Sequence, residues 1–284
     1  MSSLRNVTRI LSGIETSDGA GVSLRRYIAS PQLDMLDPFL LLDMFSSDNP
    51  DDYIAGFPPH PHRGFETVTY LLHGRMRHKD SAGHEGVIRS GGVQWMTAGR
   101  GIEHSEMPEQ EQGLLQGFQL WVNLPASQKM MAPRYQELEP EQIPIEKNEG
   151  IQIRVIAGET ARGTRGPVTQ IAAQPVYFDV TLAANHRFEQ PLAANHAAFV
   201  FVIDGEITVH GITANTVIKN QLAVLDSGAE LKISAHDDSR FLLIAGQPFQ
   251  EPVARYGPFV MNTREEIDQA FRDYRSGSFG QIGA

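Results

Sequence analysis

The sequence predicts an all-β chain of two jelly-roll type barrels in tandem, ending in one short helix. Three observations carry that expectation: short apolar stretches broken by Gly, Pro, Asn and Asp, an internal repeat, and a helical period confined to the C-terminus. With 284 residues, the chain can form two domains of about 140 residues, each large enough for its own core.

The strand pattern lapses between Pro125 and Pro144, where Pro133 and Pro140 also fall. Such spacing suits an extended connection, and a boundary near Tyr135 gives domains of 1–134 and 135–284. The repeat supports two similar halves. Thr67–Gly74 can be laid on Ala198–Gly205, strand then turn glycine in each, and Trp95–Gly99 on Val224–Gly228. At the end, Thr263 and Glu266 have capping-box spacing, and Ile267, Ala270, Phe271 and Tyr274 recur at helical intervals before Gly277. They predict a short amphipathic helix laid on the C-terminal barrel.

Composition narrows function. No cysteine is present, which removes disulfides, thiolate metal sites and a cysteine nucleophile and suits a reducing, cytoplasmic setting. No stretch has about 18 uninterrupted apolar residues, and Met1–Ile10 lacks the apolar run of a secretory signal. A formal net charge of −10 repels phosphate backbones, so neither nucleic acid nor membrane is an expected partner. The densest basic stretch, Arg75–Lys79, reads as a solvated turn.

The chemistry gathers in Phe57-Pro-Pro-His60-Pro-His62-Arg-Gly-Phe-Glu66, which runs into the apolar strand Thr67–Leu72. Residues two apart on a strand share a face, so His60 and His62 point to one side. If that parity continues, Val68, Tyr70 and Leu72 join them. His104 and Glu106, after Gly99-Arg-Gly101, repeat the spacing. One His-x-His pair is common by chance. Two ligand pairs on neighbouring strands would offer three imidazole nitrogens and a carboxylate to one divalent metal, with positions left open.

Glu66 has the parity to approach the metal but is better placed as an acceptor for an imidazole N–H. Arg63 and Arg100 could orient an anionic substrate or brace turns. His73, His78 and His84 are expected to face solvent, and Trp95 and Met96 to be core. Through the repeat, His60, His62, His104 and Glu106 fall on Pro191, Ala193, Ile233 and Ala235, so the second barrel keeps the frame without the site. Its own histidines, His186, His196, His210 and His236, are scattered.

At these residues the sequence resembles the pirin family of bicupins, proteins with two cupin barrels. The resemblance lies in His60–Tyr70, in Gln94–Gly101 with His104 and Glu106, and in Leu120–Pro125, and continues to Asn262–Ala270 and Gly277–Gly280. It implies a single iron, most readily Fe(II), held by the four matching positions, and a C-terminal barrel without metal. Ligand type alone also admits Mn, Co, Ni, Cu or Zn. The family implies two activities: opening of a flavonol ring with O2 as in quercetin 2,3-dioxygenases, with Glu106 as the base, or metal-dependent binding of a protein partner, as in a transcription co-regulator or a modulator of a metabolic enzyme.

Overall fold

The computed structural model describes residues 3–280. Nearly all regular structure is β, and the described residues contain one α-helix, α1 (Arg264–Ser276). No helix among the described residues is long and apolar enough to cross a membrane.

The chain forms two compact units, and their composition differs from the expected division at 134/135. One unit gathers the chain up to Gly13, Ser30–Pro38 and Glu141–Pro248. The other takes Ile14–Ala29, Phe39–Pro140 and everything from Phe249 onward. They are called below the C-terminal and the N-terminal unit. Each contains a seven-stranded and a four-stranded antiparallel sheet, and side chains from both sheets fill its core. Phe188 and Ile207 meet Val200 and Phe241 in the C-terminal unit, as Met76 and Ile88 meet Phe45 and Leu71 in the N-terminal one.

Strand exchange at the sheet edge explains the shifted boundary. In the N-terminal unit Arg134–Leu138 pairs with Val93–Thr97. The equivalent place beside Leu222–Leu225 in the C-terminal unit is taken by Val7–Leu11, from the start of the chain. The two strand orders otherwise correspond, including Phe65–His73 with Ala197–Asp204 and Ile102–Pro108 with Glu230–Ala235. The repeat seen in the sequence is therefore a repeat of topology.

Helix α1 also departs from expectation, since it belongs to the N-terminal unit. Its start is as read: Thr263 accepts from the Glu266 N–H while the Glu266 carboxylate accepts from Thr263 N–H, and Gly277 closes it at φ 72°. Ile267 and Ala270 pack on Phe259 and Met261, in a hairpin whose Val260 N–H donates to Arg63 O. The apolar face of the helix thus finds its partner beside the His60-Pro-His62 strand.

Candidate metal centre

Phe57–His62 forms the edge of the four-stranded sheet of the N-terminal unit. Three prolines in six residues remove backbone donors, and an edge strand tolerates that loss. Its single neighbour is Ile102–Pro108, where His104 stands directly opposite His60 and Ile102 opposite His62. The four residues of the two pairs do not all converge equally. Ring nitrogens of His60, His62 and His104 lie within 4.8 Å of one another, with ring centroids 4.5 to 5.0 Å apart.

Glu106 is buried next to them and lines the same cavity, outside that nitrogen cluster. The ladder slips between His104 and Glu106, so that Glu106 faces Phe57, and Pro58 and Pro59 occupy the irregularity. Thr69 Oγ1 lies 2.7 Å from Glu106 Oε1 and 2.7 Å from Gln119 Oε1, and Gln119 Nε2 donates to Glu106 Oε2 at 2.9 Å. Thr69 and Gln119 were not singled out in the sequence. The signal available was parity, since Gln119 and Trp121 alternate on one strand and both line the cavity.

The nitrogens suit a cation. Burial holds His62 and His104 well below the usual imidazole range, and the neighbouring histidines push the same way. Both rings are therefore neutral at neutral pH, with lone pairs available. His62 Nδ1 and both nitrogens of His104 are buried and find no hydrogen-bond partner among the described residues, although such atoms cost about 1–3 kcal/mol each. His60 Nδ1 is 2.8 Å from Pro58 O, which fixes that ring. Three clustered imidazoles, two of them buried and neutral, fit a divalent transition metal.

The parity expected to run from His62 into the next strand breaks at Arg63-Gly64. Gly64 sits at φ 87° and ends the edge strand, and Phe65–His73 resumes in the other sheet. Odd positions now face the barrel interior, Phe65 against His62, Thr69 against Glu106 and Leu71 among the core with Phe45. Among the described residues Glu66 meets neither the histidine cluster nor another imidazole; its Oε1 accepts from Thr97 Oγ1 at 2.6 Å.

Burial raises the Glu66 carboxyl to about 7, against the pull of Thr97. An unfolded glutamate ionises near pH 4.5 and the folded one near 7, so the native state binds the extra proton between them. This stabilisation is complete below pH 4.5 and is lost as pH rises to 7, a change on the order of 3 kcal/mol. Glu66→Gln is expected to flatten that part of the stability profile in urea melts. An unchanged slope in the variant would assign the pH dependence to another group.

One further expectation changes, and Arg63 takes the bracing role of its two readings. His78 is 1 % exposed rather than solvent-facing, because Met76, His78 and Asp80 form the inward face of their strand, and its Nε2 lies 2.8 Å from Glu137 Oε1. His73 and His84 are exposed as read. Arg63 is 3 % exposed and braces the fold: Nε donates to Arg100 O, Nη1 to Asp273 Oδ2 on α1 at 2.6 Å, and Phe279 lies under the guanidinium. Arg100 Nε in turn donates to Gly280 O. Trp95 and Met96 are core.

A cavity of about 630 Å³ opens over His60, His62 and Glu106. Its wall is mainly apolar, with Leu24, Leu41, Phe45, Phe57 and Trp121, and its polar side carries Arg26, Asp43, Gln119 and Arg255. Arg26 is already engaged, donating twice to buried Asp43 and once to Asp18.

In the C-terminal unit the observed ladder sets Phe188 opposite Ile233 and Gln190 opposite Leu231. If Ile233 stands for His104, the partners of the lost histidines are Phe188 and Gln190 rather than Pro191 and Ala193, a three-residue correction to the repeat. Phe188, Leu231, Ile233 and Ala235 join the core there, so apart from Gln190 apolar side chains stand where the candidate ligands stand in the other barrel.

Two jelly-roll barrels, one carrying an imidazole cluster and one with mainly apolar residues in the equivalent places, define a bicupin with one candidate metal centre among the described residues. The Pirin family pattern matches residues 21–122, and that of the Pirin C-terminal cupin domain matches residues 177–280. A pirin-like protein of Caulobacter vibrioides is 52 % identical over 97 % of this chain and 99 % of its own length. A Pseudomonas aeruginosa protein provisionally named a quercetin 2,3-dioxygenase is 49 % identical over 98 % and 99 %. Among solved structures, a quercetin 2,3-dioxygenase from Acinetobacter baumannii aligns with a TM-score of 0.88 at 35 % identity, over 99 % of this chain and all of that one. The chain belongs to the pirin family.

Proposed function

We propose that the chain is a metal-dependent dioxygenase of the quercetin 2,3-dioxygenase type, acting on a flavonol-like aromatic substrate with O2. The observation that carries this reading is the set of buried, partnerless imidazole nitrogens at a mainly apolar cavity. The names of two similar proteins agree with it. Pockets for ligands of flavonol size run to about 300–1,000 Å³, and this one falls in that range.

His60, His62 and His104 would hold the metal, with Glu106 as fourth ligand. Fe(II) is the first candidate, and Mn, Co, Ni, Cu and Zn have compatible ligand chemistry. The ion would supply Lewis-acid polarisation of the substrate oxygen and a site for O2. The remaining work falls to the chain's own residues.

Glu106 accepts the proton of the substrate hydroxyl, and its surroundings accommodate both protonation states. With Glu106 ionised, the Thr69 hydroxyl donates to Glu106 Oε1. With Glu106 protonated, the carboxyl donates to Thr69, whose own proton turns to Gln119 Oε1, closing a ring through Gln119 Nε2 and Glu106 Oε2. A rotating hydroxyl thus adjusts to the transfer without moving a side chain. Phe57, Phe45 and Trp121 offer faces to a planar ring and keep water from it.

Metal-loaded protein is expected to consume quercetin and release carbon monoxide, and Glu106→Gln to lose at least about 100-fold in turnover, the lower end of general-base effects. Absence of flavonol loss in the metal-loaded wild type overturns the activity. Equal turnover in the variant overturns the role of Glu106.

A further inference from the structure

A second groove, distinct from the metal cavity but sharing Arg255 with it, lies between helix α1 and the hairpin of Ala254–Tyr256 and Phe259–Met261. Four arginines line it, Arg255 from the hairpin and Arg264, Arg272 and Arg275 from the helix, against one lining carboxylate, Asp268. Arg264, Asp268, Phe271, Arg272 and Arg275 recur at helical spacing and form one face, while Ile267 and Ala270 are buried beneath it. All four guanidinium groups are on exposed residues. This concentration of positive charge belongs to a chain whose formal net charge is −10.

The groove also has an apolar element. Tyr256 is 69 % exposed and stands edge-on to Phe271 at 5.7 Å, a large aromatic surface left open beside the charges. Arg255 connects the two sites: it lines both the groove and the metal cavity, where its guanidinium lies over Trp121 at 5.3 Å.

We propose that this groove is a docking site for a short acidic segment of a partner protein, carboxylates on the arginines and an apolar side chain against Tyr256 and Phe271. Guanidinium groups pair with carboxylates through two parallel hydrogen bonds, which favours this chemistry over a diffuse counter-ion cloud. Arg264 and Arg275 are three turns apart, about 16 Å, the span of about five residues of extended peptide. A peptide of that length meets only the groove. A nucleic-acid duplex or an anionic membrane would extend its phosphates beyond the groove, over a chain whose net negative charge repels them. The proposal stands independently of flavonol turnover.

Binding of a fluorescein-labelled Glu-Asp-Phe-Asp-Glu peptide to the full chain, followed by anisotropy, tests it. Wild-type protein is expected to bind at low salt and to weaken as salt rises. The double variant R264E/R275E should bind at least about tenfold more weakly, with unchanged far-UV dichroism and metal content. Asp268→Ala, which removes the groove's lining carboxylate, should tighten binding about two- to fivefold, a gain that misfolding cannot produce. The amide analogue Gln-Asn-Phe-Asn-Gln should bind at least about tenfold more weakly than the acidic peptide. The proposal is overturned if R264E/R275E binds like wild type, if Asp268→Ala gives no gain, or if citrate, duplex DNA or phosphatidylserine vesicles displace the peptide more effectively than unlabelled peptide does.

Discussion

His104→Leu is expected to abolish retention of a divalent metal and, at the same time, to make the metal-free protein more stable. The two effects have one cause. His104 is 1 % exposed, stands opposite His60 and contributes a nitrogen to the cluster, yet both its ring nitrogens are buried without a hydrogen-bond partner among the described residues. Leucine removes a ligand, and the loss should exceed the 10- to 100-fold cost typical of removing a supporting partner. It also removes two unsatisfied polar atoms, and replacing such a group with an apolar one of similar size should stabilise the apo fold by about 1–3 kcal/mol. Metal analysis after incubation with Fe(II) and desalting reads the first effect, and denaturant melts of chelator-treated protein read the second. A variant that keeps its metal, or an apo form less stable than wild type, would show that His104 is a packing residue.

Gly64→Ala should cost more stability than any other single methyl group added near the site. At φ 87° the position is strained for any L side chain, and a Cβ would stand 1.9 Å from Val260 O and 2.9 Å from Met261 Sδ. The backbone cannot easily yield. Gly64 N–H donates to Gly99 O, and Gly64 O accepts from buried Lys129 Nζ, which also donates to Asn123 Oδ1 and Val260 O.

Loss of at least about 4 kcal/mol is expected, a size reserved for steric or backbone failure, which lowers the melting temperature by at least roughly 8–16 °C for a domain of this size. Metal uptake should fall with it, because Gly64 anchors the strand that ends in His62. Gly277→Ala is the matched control: its φ is 72°, but a Cβ there meets nothing within 4 Å, so only the left-handed penalty of about 1–2 kcal/mol applies. Equal melting temperatures for the two variants would mean that the Arg63-Gly64 turn relaxes freely.

The same turn explains where sequence reading stopped. His60 and His62 were legible because two-residue spacing on a strand fixes their common side, and His104 because the second pair repeats that spacing. Glu66 was misread because parity cannot be carried through a glycine at positive φ that sends the chain into another sheet. His78 was misread because charged neighbours suggested a turn, whereas Met76 and Asp80 alternate with it on an inward face. Thr69 and Gln119 sit in ordinary strands and acquire meaning only when Glu106 lies between them.

Local information determined the all-β class, the internal repeat, the capped C-terminal helix and the two pairs of candidate ligands, since each depends on spacing within a few residues. Tertiary structure decided the rest. Val7–Leu11 completes the C-terminal unit, and helix α1 belongs to the N-terminal one, because strand pairing and apolar packing select partners by geometry rather than by distance along the chain. It also decided that three imidazoles converge while a slip at two prolines carries Glu106 to Thr69 and Gln119. Sequence spacing sets which face a side chain takes, and only the register between strands sets what stands opposite it.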